Sequence, residues 1–214
     1  MNIHFFIKHS FVDLAIRLVF FDKRLSTNAV FASTDESWAL LILIIGFFIF
    51  EEITLIYFDL RYRTFSKELH LHHIFAFNGL FLSAWFNTCQ YISLGIFILE
   101  FSTPFSCLCW CLLKLKLEKS FLWKANQWIL IYVFHARTFY EFWIWYVVYQ
   151  NWALIQQYVP VIYTANFCLG LGVVTFWLTP YWTYKKTKQF FFPVDWNAET
   201  KGKKKNELDI DKTS

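Results

Sequence analysis

Ionisable side chains interrupt several apolar stretches of this sequence, and a charge held away from water is costly unless it is paired or put to use. The stretch ELHLHHIFAF carries His70, His72 and His73; Glu51 and Glu52 lie upstream, and Glu100, His135, Arg137 and Glu141 downstream. An imidazole takes or gives a proton near neutral pH, so His72 or His73 suits general-base assistance to a hydroxyl or amine attacking a thioester. Adjacent helical residues point about 100° apart, so His72 and His73 do not share one small target, whereas His70 and His73 share a face. Arg137 and Glu141 stand four apart on one helical face, as a mutual ion pair or as an anchor for a polar head group. Glu100 is followed by Ser102, Thr103 and Pro104. Proline has no amide for the Glu100 carbonyl, so a kink is expected there, with Ser102 and Thr103 able to satisfy the freed backbone.

These groups need a scaffold, and composition points to a bilayer. Of 214 residues, 57% are hydrophobic and 23% aromatic, more than a soluble domain of this length buries. Five apolar runs, Trp38–Phe58, Leu69–Phe86, Tyr91–Leu113, Ala125–Tyr149 and Val161–Trp182, approach the length of about 20 helical residues that crosses a membrane. Continuous runs rather than short alternating segments argue against a membrane β-barrel.

The links between the runs alternate in charge. Arg61, Arg63 and Lys67 follow the first run, Lys114, Lys116, Lys119 and Lys124 the third, and Lys185, Lys186 and Lys188 open a lysine-rich tail, whereas residues 87–90 and 150–160 carry no charge. The basic segments and the C-terminus therefore face the cytosol or the mitochondrial matrix. On this topology His72 and His73 lie about one helical turn inside the basic boundary. Glu51 lies in the same half of the membrane, and Glu100 and Arg137 near its middle, so these residues can converge on one polar pocket open to the basic side. Glu51, Glu100, Ser102, Thr103, Arg137 and Glu141 are thus the candidates for a lipid-binding polar cavity, and His72 and His73 the catalytic candidates if the chain is an enzyme.

The organisation expected is an N-terminal helix and link over 1–37, a membrane domain over 38–188, and a polar tail over 189–214. Residues 2–21 are apolar but include Lys8, Asp13 and Arg17; they form either an amphipathic helix at the interface or a sixth span with its charges packed against neighbours. The stretch lacks the uninterrupted apolar core of a secretory signal. The tail should be disordered alone and attracted to anionic headgroups by about 1 kcal/mol per basic residue; nucleic acid is not an expected partner. Six histidines, two of them at positions 4 and 9, are too few for a histidine-cluster di-iron enzyme. Cys107, Cys109 and Cys111 read as packing residues or interfacial acylation sites rather than metal ligands. Neither a metal nor a cofactor is expected.

The segments ELHLHHIFAF and LEFSTPFSCLCWCLL, followed by the Arg137 helix, resemble the TLC-domain family, which includes ceramide synthases and translocating-chain-associated proteins. The likeness is strongest to a small branch carrying an E-x-S-T-P-F segment. The resemblance implies an all-α integral membrane protein: a bundle of five transmembrane helices, plus the N-terminal helix, around a lipid-accessible cavity. It matches His72 and His73 to the paired histidines that ceramide synthases use for acyl transfer, with acyl-CoA as co-substrate. Arg137 and Glu51 match polar positions of the branch. The synthase motif of a histidine and aspartates is replaced by Glu100–Phe105, and Cys107 and Cys109 stand where the branch has Asn and Arg. Two functions follow. The first is a non-catalytic, lipid-binding protein that packs against other membrane subunits, which also hold its C-terminal tail, as an accessory subunit of an assembly such as one in the mitochondrial inner membrane. The second is a lipid N-acyltransferase; the family likeness points to the endoplasmic reticulum.

Overall fold

The computed structural model describes residues 2–62, 65 and 67–193, with side chains from Lys8 onward; the tail expected to be disordered or held by partners lies, from residue 194, outside the described residues. The described residues form helices and no strand. In chain order these are α1 (Asn2–Phe20), α2 (Lys23–Ser26), α3 (Asp35–Tyr62), α4 (Lys67–Phe86) and α5 (Gln90–Phe97), a 3-10 segment (Ile98–Ser102), and α6 (Thr103–Lys114). They continue with α7 (Phe121–Gln150), α8 (Trp152–Tyr158), α9 (Val161–Val173), a π segment (Val174–Leu178) and α10 (Thr179–Phe191).

Local sequence sets these boundaries. At the start of α3, the Ser37 amide donates to the Thr34 hydroxyl (3.1 Å) and the Thr34 amide to the Ser37 hydroxyl (2.9 Å), a reciprocal cap. Asp35 and Glu36 then occupy the first turn, where the helix dipole favours acid. Ser120 caps α7 by accepting from the Trp123 amide at 3.1 Å.

Two of the expected runs are not regular helices. Tyr91–Leu113 becomes α5, the 3-10 segment and α6, because Pro104 cannot donate to the Glu100 carbonyl and the Thr103 amide takes that acceptor instead. The kink expected at Glu100 is therefore a tightened turn. Val161–Trp182 contains the π segment, which ends just before Thr179 and Pro180; Pro180 likewise leaves a carbonyl without its helical donor.

The N-terminal stretch forms a helix that packs one face against the bundle. Val12, Ala15, Leu18 and Val19 of α1 share a core with Leu40, Leu41, Ile44 and Phe48 of α3 and Leu94 and Phe97 of α5. The exposed side of α1 keeps the Asp13–Arg17 pair (3.0 Å). The following link is tied to the α4–α5 turn, where the Cys89 amide and the Thr88 hydroxyl both donate to the Val30 carbonyl, at 2.7 and 2.8 Å. Gly170 lets α9 approach α4 closely: a Cβ there would lie 3.1 Å from Cβ of Phe75.

The outer surface needs an apolar solvent. Ile53, Trp85, Phe139, Leu169 and Phe176 are all more than half exposed. Among the described residues, three helical stretches are long and apolar enough to cross a membrane, Asp35–Tyr62, Gln90–Lys114 and Val161–Phe191. The other two expected runs form α4 and α7, of 20 and 30 residues, whose histidines and charges lower their hydropathy.

Candidate functional site

The 3-10 segment brings Glu100 into the bundle against α1, α3 and α4. The Glu100 carboxylate sits 2.7 Å from Nε2 of His72 and 2.6 Å from Nζ of Lys8, and its Oε2 accepts from the Thr103 hydroxyl at 2.7 Å. Lys8 also donates to both Glu51 oxygens at 3.1 Å. Lys8 and Glu100 are 3% and 5% exposed, so the ammonium balances two carboxylates largely withdrawn from solvent. His72 spends Nε2 on Glu100, while its buried Nδ1 has no hydrogen-bond partner. A carboxylate on one ring nitrogen fixes the proton there and leaves the other as a free base.

The kink also assembles a second polar centre. Arg137 Nε donates to Glu141 at 3.0 Å, and Nη1 donates to the Leu99 carbonyl and the Ser102 hydroxyl, each at 3.3 Å. Thr179 donates to Glu141 at 2.6 Å. Trp182 joins the two centres: its ring lies 5.5 Å from that of His72 and 5.6 Å from Cζ of Arg137. Arg137 Nη2 is buried without a partner.

A cavity of about 550 Å³ is lined by Lys8, Glu51, His72, His73, Glu100, Ser102, Thr103 and Arg137, with Lys185 and Lys186 of α10. This volume falls within the roughly 300–1,000 Å³ of small-molecule sites. A smaller apolar cavity of about 60 Å³, walled by Phe75, Gly79, Phe97, Phe167 and Leu171, meets it at His72 and Glu100. Seven of the eight expected residues thus line one cavity. Glu141 stands behind Arg137, and His73 gives its Nδ1 to Glu52 at 2.9 Å. His70, the face-mate of His73, also bonds Glu52, at 2.6 Å. Cys109 is buried between Gln127 and Gln189, with Cys107 exposed. No group of three potential metal ligands converges among the described residues.

Lys8, Trp182, Lys185 and Lys186 were not among the residues expected in the site. Lys8 had a readable signal: it stands four, seven and eleven residues before Val12, Ala15 and Val19, all buried, and so lies on the packed face of α1. The aromatic and basic residues of α10 had none, since their placement follows from the π segment.

A helical bundle with an apolar exterior, pierced by a polar cavity, defines a multi-pass membrane protein. The TLC domain family model matches residues 5–188. The chain belongs to the TLC-domain family. It is 37% identical over 185 residues to Protein CLN8 of Rattus norvegicus, a match covering 85% of this chain and 64% of the relative. For Protein CLN8 of Mus musculus the identity is 41% over 162 residues, covering 73% and 56%; for that of Homo sapiens it is 40% over 154 residues, covering 71% and 54%. The chain thus spans between about half and two thirds of the length of these relatives. No solved structure matches it.

Removing one member of a buried ion pair strands its partner, at a cost of about 3–5 kcal/mol. Lys8→Met should therefore lower the thermal unfolding temperature in detergent sharply, and adding Glu51→Gln to it should recover part of the loss. Equal or additive losses would show that Lys8 and Glu51 do not act as a pair.

Proposed function

We propose that this chain holds a long-chain lipid in the larger cavity and transfers an acyl group, with His72 as general base. The observation that carries this reading is the position of His72: the residue lines both a polar and an apolar cavity, its Nδ1 has no hydrogen-bond partner, and Glu100 holds the opposite nitrogen. The lipid's chain lies along Leu55, Leu69 and Phe134, and its reacting carbonyl sits at His72. The apolar cavity, at about 60 Å³, admits only the end of a chain. Nδ1 takes the proton of the attacking hydroxyl or amine and returns it to the thiolate that leaves as the thioester C–S bond breaks, and Arg137 Nη2, buried without a partner, can donate to the head group. Acyl-CoA is the donor that the family resemblance suggests.

A second reading is a non-catalytic lipid-filled scaffold that packs against other membrane subunits. It is favoured by the way Lys8, Glu51, Arg137 and Glu141 satisfy one another, as purely structural groups do. Purified chain in nanodiscs, given labelled acyl-CoA and candidate lipid acceptors, separates the two. General-base assistance contributes about 10²–10⁴-fold, so His72→Ala should lose that much turnover while keeping its bound lipid. Bound lipid with no transfer by the unaltered chain selects the scaffold.

We also infer that α3, α4, α5–α6, α7 and α9–α10 all span the bilayer, with the basic links and the C-terminal tail on the cytosolic or matrix side. The alternation of basic and neutral links supports this. In a cysteine-free background, Phe65→Cys, Leu117→Cys and Lys188→Cys should be labelled from one side, and Phe86→Cys and Gln157→Cys from the other. Labelling of two consecutive positions from the same side removes the intervening span.

A further inference from the structure

A row of titratable groups outside the His72–Glu100 centre is joined end to end. Asp59, on the last turns of α3, places Oδ2 2.8 Å from Nε2 of His70. His70 places Nδ1 2.6 Å from Oε1 of Glu52, and Glu52 places Oε2 2.9 Å from Nδ1 of His73. Each of the two middle groups therefore uses both of its proton-carrying atoms, one toward each neighbour. His73 lines the large cavity beside His72, with ring centroids 5.8 Å apart. Asp59, His70 and His73 are each less than a tenth exposed, and Phe65 stacks on the His70 ring at 4.7 Å.

We propose that Asp59, His70, Glu52 and His73 form a proton relay between the basic face of the membrane and the cavity. The proposal rests on the acyl-transfer reading for its use: an amine acceptor that enters as an ammonium loses two protons on becoming an amide, the leaving thiolate takes one, and the other has to leave an apolar site before the next turnover. The transfer balances at every link. A water in the cavity, which has room for several at about 30 Å³ each, carries the proton from His72 to Nε2 of His73. With Glu52 protonated on Oε1 toward Nδ1 of His70 at the start, His73 then releases the proton on Nδ1 to Oε2 of Glu52, Glu52 releases its own from Oε1 to Nδ1 of His70, His70 releases the one on Nε2 to Asp59, and Asp59 gives one up to water at the basic face. One proton enters, one leaves, and nothing is oxidised or reduced. An imidazole and a carboxyl group can each take up a proton at one atom while releasing one from another. Two cross-braces between α3 and α4 would need only one hydrogen bond each. The charged groups nearest the inner end are Lys8 and Glu100, bonded to each other and close enough for their charges to act on His73.

Trp182 supplies a readout that does not depend on acyl transfer. Its ring packs edge-on against His72 at 5.5 Å, and a protonated imidazole quenches indole emission. The emission difference between the unaltered chain and Trp182→Phe, followed in nanodiscs after a stopped-flow acid jump, reports the arrival of a proton at His72. His70→Gln and Glu52→Gln keep hydrogen-bonding groups but cannot pass a proton through. Each should slow the Trp182-dependent phase about tenfold or more, and millimolar imidazole in the buffer should restore it. Unchanged rates in both variants, slowed rates that imidazole does not restore, or a Trp182 signal indifferent to pH overturns the relay. Loss of acyl transfer by the unaltered chain with this kinetic pattern intact would instead remove the proposed reaction and leave the relay standing.

Discussion

The contact on which the rest of this structure depends is the buried bond between Lys8 and Glu100, 2.6 Å long. An ammonium in a membrane interior is tolerated only against a carboxylate, and a carboxylate only against a cation or several donors. Lys8 meets Glu51 and Glu100 together, and Glu100 meets Lys8, His72 and Thr103 together. Four separate segments, α1, α3, α4 and the kinked turn, are therefore held to one another at a single point. None of them can shift by a helical turn without stranding a charge. The bond also explains why α1 packs against the bundle although His9, Ser10, Asp13 and Arg17 are exposed.

The kink serves the same point. A regular helix through residues 90–114 would hold Glu100 at one angle and would leave no carbonyl for Arg137. Tightening the turn before Pro104 presents Glu100 to α1 and α4 while the Leu99 carbonyl and Ser102 receive Arg137. The backbone irregularity that proline imposes lines a polar cavity, the setting in which a membrane tolerates it. The π segment before Pro180 does the equivalent on the opposite wall, and sets Trp182 between His72 and Arg137. The two irregular segments pack against each other, Leu99 of the 3-10 segment clustering with Val174 and Leu178 of the π segment.

Much of this was legible from residue types alone, because a charge in an apolar run announces itself. The Arg137–Glu141 pair, the kink at Glu100 and the separation of His72 from the His70–His73 face all follow from helical spacing, and the structure contains each. What spacing does not give is which helix faces which. Lys8 lay on the apolar face of α1 from the start, yet its partner sits ninety-two residues away, with four helices between them in the chain. The π segment was illegible for a different reason. Thr179 and Pro180 signal an interruption, but whether the helix tightens or widens depends on what it packs against. Glu52 was visible, but its bridging of two histidines became clear only once α3 lay beside α4.

The central claim is that a lipid occupies the cavity with its polar end at His72. The direct measurement is photocrosslinking of the purified chain with a diazirine-bearing acyl lipid, followed by mapping of the adducts by mass spectrometry. Adducts concentrated on Leu55, Leu69 and Phe134, reduced when excess unlabelled lipid is added, are the predicted result. Adducts confined to Trp85, Phe139 and Phe176 on the outer surface, and insensitive to competition, would contradict it.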